Sequence, residues 1–283
     1  MTGGLAKYSV FRRGSALSPE FAASVERLGY RTIWVGGSPS GDLRLIDDIL
    51  DATTTVTVAT GIVNIWRDGA DVVAASFRRI EERHPGRFLL GIGVGHPESV
   101  TRYAKPYQAV AAYLDALDAA GVPPRRRALA ALGPRMLALS AARSAGAHPY
   151  LVPPEHTRRA RAILGEGVLL APEQHVVMAT EPERARAIAR PTVALPYLGL
   201  ANYVNNWRSL GFDESDFADG GSDRLIDALV VYGDATAIAA GLQRHIDAGA
   251  DQVAINVFGE PGDDPLAAYA ALAAALQEPS ALP

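Results

Sequence analysis

Residues 84–97, His-Pro-Gly-Arg-Phe-Leu-Leu-Gly-Ile-Gly-Val-Gly-His-Pro, combine a helix stop, a short apolar run and three alternate glycines. Pro85 and Gly86 end the preceding helix, and the apolar run after them predicts a buried strand. Alternate glycines in such a strand let another backbone or a flat ligand approach one face closely. The segment therefore favours a cofactor that lies across the carboxyl end of a central parallel strand.

Two other interpretations of these glycines stay open from the segment alone. A dinucleotide-binding loop needs its glycines after the strand and at a helix N-terminus, whereas these lie largely inside the strand and Pro97 follows them. Small residues also fill the interior of a narrow barrel, which is a purely structural role. Evidence from other parts of the sequence is needed to distinguish a cofactor site from packing.

The composition is that of an ordinary globular protein. The chain has 283 residues, of which 48% are hydrophobic and 20% are charged. This length suits one large α/β barrel or two medium domains. The net charge of −4 argues against a broad basic surface for nucleic acid. The chain contains no cysteine, which excludes disulfides, thiolate metal ligands and cysteine nucleophiles.

No targeting or membrane segment is visible in the sequence. Residues 1–7 lack the basic start and apolar core of a signal peptide, and no apolar run approaches the roughly 20 residues that span a bilayer. We therefore expect a cytoplasmic protein that acts on a small molecule, with no nucleic-acid or membrane partner. The high content of Ala, Arg and Gly is typical of a GC-rich bacterial genome.

One unit repeats along the chain: an amphipathic helix, a glycine and a β-rich apolar run. Helices are predicted over 18–28, 70–84, 134–145 and 236–248, and the third is expected to end at Gly146, because glycine past a helix adopts the left-handed turn. Strands that alternate with helices of this length indicate βαβ units and a parallel sheet. The predicted strands cover 7–11, 32–36, 55–62, 88–94, 127–132, 148–152, 174–179 and 252–257.

Eight strands in a chain of this size favour a TIM-type (β/α)8 barrel, as one domain over residues 1–283, rather than a doubly wound sheet. Roughly 70 residues separate the last two strands, far more than one crossover needs. We therefore predict a helical insertion over about 190–235, between strands seven and eight. In such barrels the chemistry lies at the carboxyl ends of the strands, which puts Gly37 and Ser38 after strand two among the cofactor-binding candidates.

The turn Gly133-Pro134-Arg135 opens a helix directly after strand five. Free backbone N–H groups at such a position bind anions, and an arginine in the first turn adds a charged fork. A plain turn with proline at the first helical position explains the same residues.

Asn64, at the end of strand three, also has two interpretations. Its amide can bond the edge of a heterocycle, but asparagines in turns usually bond their own backbone.

His96 is the histidine predicted to lie at a strand end that faces the barrel mouth, where its ordinary pKa suits a general acid or base. A solvated loop histidine without a role is the competing interpretation. No metal site is expected, because the six histidines are scattered and no His, Asp or Glu pair has ligand spacing on one element. A serine hydrolase is not supported either, since the Gly-x-Ser-x-Gly motif is missing.

The predicted insertion is rich in aromatic residues. Tyr197, Tyr203 and Trp207 fall in a helical stretch before Phe212. An aromatic stripe at helical spacing serves packing more often than a pocket. Both interpretations stay open, and we take the three as candidate substrate-binding residues.

Several short motifs along the chain occur together in one known family. Singly each is weak, and together they are specific. They are Leu28-Gly29-Tyr30 with Trp34-Val35, Ala59-Thr60-Gly61-Ile62, residues 85–95, Tyr203 with Asn206 and residues 208–212, and Tyr232-Gly233-Asp234 with His245 and residues 248–251. With these motifs the chain resembles the bacterial luciferase-like superfamily, in its branch of coenzyme F-420-dependent oxidoreductases.

The resemblance implies a TIM-type barrel with an insertion beside the active site, often assembled as a homodimer. It implies a non-prolyl cis peptide between Gly61 and Ile62, behind the deazaflavin ring. It also implies cofactor contacts by position: Asn64 with the ring or tail, Val94 and Gly95 through their backbone, Ser99 with the tail, and Leu132, Gly133, Arg135 and Met136 in a phosphate-binding turn.

The chain departs from the sugar-phosphate dehydrogenases of that family at two places. It has Gly37-Ser38 where they carry Asp-His, and His96 where they carry an acidic residue. Their proton-transfer residues are therefore absent or replaced. His96, at the position of their acidic residue, is our candidate catalytic residue, and Ser38, Asn64 or the insertion around Tyr197 and Trp207 are the alternatives. Three functions remain: hydride transfer between F-420 and a small organic substrate, an FMN-dependent monooxygenase, and a barrel that binds flavin without turnover.

Overall fold

The computed structural model describes residues 5–95 and 105–277 and shows strands and helices alternating along the chain. The strands are β1 (Tyr8–Arg13), β2 (Thr32–Gly36), β3 (Thr57–Gly61), β4 (Val63–Asn64), β5 (Phe88–Gly93), β6 (Arg127–Leu129), β7 (Gly146–Ala147), β8 (Leu169–Leu170), β9 (Glu173–Val177), β10 (Val230–Tyr232) and β11 (Val253–Phe258).

The helices follow the strands as crossovers. They are α1 (Pro19–Arg27), α2 (Arg44–Asp51), α3 (Ala70–Arg83), α4 (Pro106–Ala119), α5 (Pro134–Arg143), α6 (Pro154–Leu164), α7 (Pro182–Ala194), α8 (Ala201–Ser209), α9 (Glu214–Phe217), α10 (Asp223–Leu229), α11 (Ala235–Asp247) and α12 (Pro265–Gln277). No helix within the described ranges is long and apolar enough to cross a membrane.

The strands form one parallel sheet that curls into a ring. β11 pairs with β1 and with β9, while β8 pairs with β7. Only Ala171 and Pro172 separate β8 from β9, so the two are halves of one strand, and this strand closes the ring. The TIM-type (β/α)8 fold predicted from the sequence is thereby confirmed.

The barrel interior is filled by a few large side chains that face small ones. Phe11 and Trp34 project inward, and the rings of Trp34 and His148 stack with centroids 3.8 Å apart. The facing strands contribute alanines, because a small barrel has room for only a few bulky groups. These alanines are Ala59, Ala128, Ala171 and Ala254.

Gly91 is a glycine because the backbone of β3 approaches it closely. A Cβ at Gly91 would lie 1.8 Å from the carbonyl oxygen of Thr60. The Thr60 hydroxyl accepts from the Gly91 N–H and donates to the Gly91 carbonyl, both at 2.8 Å. This side chain takes the place of ladder hydrogen bonds where strand three, predicted as continuous over 55–62, is interrupted between β3 and β4.

The predicted helical insertion is present between strands seven and eight. Helices α8, α9 and α10 lie there and bury an aromatic cluster of their own around Trp207. The sequence did not predict β10, which follows α10 and pairs with β9 in parallel register. The insertion is therefore hydrogen-bonded to the barrel wall.

The predicted end of the third helix at Gly146 is wrong. Helix α5 ends at Arg143, and Gly146 lies in β7, so strand six begins before the predicted 148–152. A Cβ on Gly146 would come within 1.9 Å of the carbonyl oxygen of Leu169 on β8. The glycine is required by contact with the neighbouring strand and not by a helix cap.

A buried hydrogen-bond chain ties β9 to the outer helices. The Thr157 hydroxyl on α6 lies 2.7 Å from His245 Nδ1, and His245 Nε2 lies 2.7 Å from Gln174 Oε1. The Gln174 amide nitrogen donates to the carbonyls of His175 and Leu229, which leaves its oxygen as the acceptor for His245. The neutral imidazole therefore satisfies both neighbours, and burial lowers the pKa of His245 to about 3.

Candidate functional site

The loops after strands two and three form one wall of the barrel mouth. Gly37 and Ser38 adopt positive φ angles of 77° and 51° directly after β2. Arg67, in the loop after β4, donates to the carbonyls of Ser38 at 2.9 Å and Pro39 at 2.5 Å. The guanidinium thus fixes one loop against the other, and the backbone of Gly37 stays exposed.

The end of strand three matches the expectation for Gly61 and Ile62. The peptide between them is cis, as the resemblance implied. A Cβ on Gly61 would lie 2.8 Å from the Phe11 ring and 3.2 Å from His148 Nε2, so this position accepts no side chain. Ile62 is 9% exposed. The backbone itself therefore forms the surface here.

Asn64 forms a hydrogen bond with the backbone of its own turn. Its side-chain oxygen accepts from the Trp66 N–H at 2.9 Å, so the turn interpretation holds for this atom. Its amide nitrogen lies 2.4 Å from the position that a Cβ on Gly95 would take. Asn64 therefore connects the ends of strands three and four, and Gly95 gives it the space.

The end of strand four presents backbone without side chains. A Cβ on Gly93 would meet Ala130 at 2.9 Å and Ile62 at 3.1 Å. Gly95 has a φ of +58°, which favours glycine, and Val94 is half-buried between the two. A Cβ on Gly61, Gly93 or Gly95 would thus meet neighbouring protein atoms, and the ends of strands three and four pack closely without side chains at these positions. The candidates His96 and Ser99 lie outside the described residues.

The turn after strand five is open to solvent. Gly133 begins α5 without a side-chain cap, and nothing lies within 4 Å of the place where its Cβ would be. The Arg135 guanidinium lies over the Tyr107 ring, 4.6 Å from its centroid. On α6, the Nε2 atom of His156 lies 2.9 Å from the Leu132 carbonyl oxygen and so holds the start of the turn in place. Met136 is half-buried beside it.

A buried polar cluster beneath the mouth was not predicted from the sequence. Glu173 is fully buried, and its carboxylate accepts from the Leu151 N–H at 3.1 Å and the Asn256 amide at 2.8 Å. His175 Nδ1 lies 3.0 Å from the same carboxylate, with its ring stacked on Phe258. The detectable signal was the run Glu-Gln-His within an otherwise apolar strand.

His148 adds a second buried imidazole below Gly61. Its Nδ1 lies 2.6 Å from the Ala171 carbonyl, so that nitrogen carries the proton. Its Nε2 faces Gly61 and has no hydrogen-bond partner among the described residues. Burial lowers the pKa of His148 to about 4, which keeps the ring neutral at pH 7.

The aromatic side chains of the insertion continue this interior cluster. The Tyr150 ring lies 5.4 Å from that of Tyr197, which lies 4.8 Å from Tyr203, and Tyr203 lies 5.8 Å from Trp207. Tyr197 and Tyr203 keep slight exposure, whereas Trp207 is fully buried. Burial raises the pKa of Tyr197 to about 12. Their assignment to substrate binding stays a prediction.

A cavity lies beside the mouth of the barrel. It has a volume of about 540 Å³ and opens between the ends of β9 and β11. Arg12 and Val257 line it, and both alternate with residues that point into the barrel. Across the described ranges, no group of three or more His, Asp or Glu side chains is arranged to hold a metal ion.

The family model for luciferase-like monooxygenases matches residues 18–121 of this chain. The match runs from α1 to the end of α4 and includes the glycine-walled ends of strands three and four. This match confirms the predicted resemblance to the luciferase-like superfamily over these residues. The F-420-dependent branch stays a prediction. No curated protein matches the sequence.

Solved structures with the same fold include enzymes that use two different cofactors. An F420-dependent secondary alcohol dehydrogenase, in complex with an F420-acetone adduct, is 13% identical with a TM-score of 0.70, over 89% of this chain and 93% of that one. A coenzyme F420-dependent tetrahydromethanopterin reductase from Methanopyrus kandleri is 15% identical with a TM-score of 0.66, over 95% and 97%. The oxygenating constituent of 3,6-diketocamphane monooxygenase from Pseudomonas putida, in complex with FMN, is 12% identical with a TM-score of 0.70, over 96% and 98%.

Proposed function

We propose that this chain, a barrel that resembles the luciferase-like oxidoreductases and monooxygenases, transfers hydride between coenzyme F-420 and a small organic substrate. The observation that carries the proposal is the absence of side chains at Gly61, Gly93 and Gly95, at the carboxyl ends of strands three and four. Chemistry in barrels of this class lies at that end of the strands, and glycines there let the backbone approach a flat ring closely.

We assign the residues at these strand ends to the cofactor ring. The backbone of Gly61 and Ile62 supports one face of the ring, and Val94 and Gly95 border its edge. Asn64 already bonds the Trp66 N–H through its oxygen, so only its amide nitrogen is assigned to the cofactor. Bound here, the deazaflavin supplies a carbon centre that gives or accepts hydride.

The turn at Gly133 is assigned to the phosphate of the cofactor. Its backbone N–H groups lack a side-chain cap, and no side chain fills the space in front of them. Arg135 adds a charged donor that is positioned by Tyr107. His156 acts as a positioning residue, since it bonds the Leu132 carbonyl at the start of the turn.

Replacing Arg135 by alanine is expected to weaken F-420 binding by about 1.5–3 kcal/mol, the range for a hydrogen bond to a charged group. Folding should be unaffected because the side chain is exposed. Calorimetric titration measures the change. Arg158→Ala removes an equally exposed arginine on α6 and serves as the control. Equal affinity in the Arg135→Ala and native proteins would remove this residue from the site.

The substrate side of the mouth is assigned to the insertion. Tyr197 contacts Tyr150, which leads to the buried Glu173 through the Asn256 amide. These side chains orient the substrate and exclude water below it. His96, next to Gly95 in the sequence, is the proposed proton carrier for the hydride step.

A second candidate function is an FMN-dependent monooxygenase. The family model that matches residues 18–121 describes monooxygenases, and one structural neighbour is in complex with FMN. The glycines at the strand ends do not distinguish the two ring systems. The two functions differ in which cofactor the mouth prefers.

Cofactor preference is tested by titrating the purified protein with each cofactor in turn. We expect F-420 to bind with a dissociation constant in the micromolar range and FMN to bind more weakly, as calorimetry and the absorbance spectrum of the bound ring will report. The reverse order of affinities would favour the monooxygenase. Binding of either cofactor without turnover of any alcohol, aldehyde or imine would favour the non-catalytic flavin-binding barrel.

A further inference from the structure

A small cavity lies at the carboxyl ends of strands one and two. It has a volume of about 310 Å³ and is bounded by the loops that follow β1 and β2. Its polar lining comprises two arginines, three hydroxyl groups and one carboxylate. These are Arg13, Arg44, Ser15, Ser38, Ser40 and Asp42.

Arg13 connects this cavity with the barrel mouth. Phe11 points into the barrel, where its ring lies 5.4 Å from that of Tyr150. Because side chains alternate along a strand, Arg13 points to the same side, above Phe11. Its Cβ and Cγ lie 3.6 Å from the position that a Cβ on Gly37 would take.

The two arginines of the cavity exceed its one carboxylate in number, and the cavity carries a net positive charge. Neither Arg13 nor Arg44 forms a side-chain hydrogen bond or an ion pair with any other residue that the structure describes. Asp42 accepts from the backbone N–H of Arg44 at 3.3 Å, and its own carbonyl accepts from Arg79. Two guanidinium groups therefore face one carboxylate, which leaves a net positive site lined by hydroxyl donors.

We propose that this cavity binds the oxyanion of the substrate, a carboxylate or a phosphate ester, between Arg13 and Arg44. A guanidinium binds such groups with two parallel hydrogen bonds, and hydroxyl groups complete the coordination. Gly37, which lines the cavity, adds exposed backbone without a side chain. The assignment to substrate rests on the proposed function, whereas the anion site itself does not.

Calorimetric titration of the native protein with methyl phosphate and, separately, acetate tests the site at constant ionic strength in chloride. We expect saturable binding of at least one anion. The anion that binds more tightly shows whether the site prefers a phosphate ester or a carboxylate. The double variant Arg13→Gln/Arg44→Gln should weaken that binding at least tenfold. Arg125→Gln, at the opposite end of the barrel, should leave it unchanged.

Two results would overturn the proposal: both anions bind no more tightly than chloride, or the double variant keeps the native affinity. Arg44→Gln alone repeats the test in case the double variant does not fold. Titration of the same variants with F-420 separates this proposal from the proposed function. Anion binding without F-420 binding leaves the anion site standing and refutes the cofactor assignment.

Discussion

Replacing Gly91 by alanine is expected to lower the free energy of unfolding by more than about 3 kcal/mol, at the upper end of what overpacking costs. The added Cβ would lie 1.8 Å from the Thr60 carbonyl oxygen, and both atoms in conflict belong to central strands of the barrel. Relief requires β3 and β5 to separate, which also breaks the two hydrogen bonds of the Thr60 hydroxyl. Urea unfolding followed by circular dichroism measures the change.

Gly199→Ala is the matched control for this experiment. Nothing lies within 4 Å of the position of its Cβ, and its backbone is not in the left-handed region. We expect its effect on the free energy of unfolding to stay within about 0.5 kcal/mol, as for other surface substitutions. A loss below about 1 kcal/mol in Gly91→Ala would mean that the two strands tolerate separation, and the account of this glycine would be wrong.

Acid is expected to destabilise the protein well above the pH at which carboxylates titrate. Burial lowers the pKa of His148 to about 4 and that of His245 to about 3, while a histidine in the unfolded chain titrates near 6.5. Below pH 6.5 these two histidines therefore bind protons in the unfolded state and stay neutral in the folded state. Stability is at its full value above pH 6.5 and falls as the pH approaches the folded-state pKa values.

Between pH 7 and pH 4 we expect each of these two histidines to cost about 3 kcal/mol, from 1.36 kcal/mol per pKa unit. Urea unfolding at intervals of one pH unit measures the slope. His245→Gln keeps a polar side chain between Thr157 and Gln174 and should reduce the total loss by about half. If native stability is constant from pH 7 to pH 4.5, the two imidazoles are not held neutral by burial.

Much of the fold was accessible from the sequence because its signals are local. Apolar runs separated by amphipathic helices predict the parallel barrel, and the long gap after strand seven predicts the insertion. Gly146 was misassigned because its role depends on the distant Leu169 carbonyl, which no local pattern reveals. The strand β10 was missed because three residues after a helix carry too little periodicity to distinguish them from a loop.

The candidate site also has some features that the local sequence predicts and others that it does not. Backbone surfaces at Gly61 and Gly95 were predictable, since glycine at a strand end indicates either a close approach or a left-handed backbone. The polar cluster around Glu173 was not, because strands covered on both faces lack the alternation that shows which side chains point inward. Arg13 was missed because the sequence does not show that the loop after β2 lies beside the end of β1. The pairing of these two strands brings them together.

The strand β10 also constrains how this barrel can be re-engineered. The insertion enters through α7 and returns through a strand that is paired with β9, the same strand that closes the ring. A loop graft that exchanges only α8 and α9 leaves the pairing of β10 with β9 intact. A graft that takes the whole segment removes an edge partner from β9 and exposes the His175 and Val177 backbone. Transplantation of the whole insertion is therefore expected to succeed only when donor and recipient share the register of Val230 against His175.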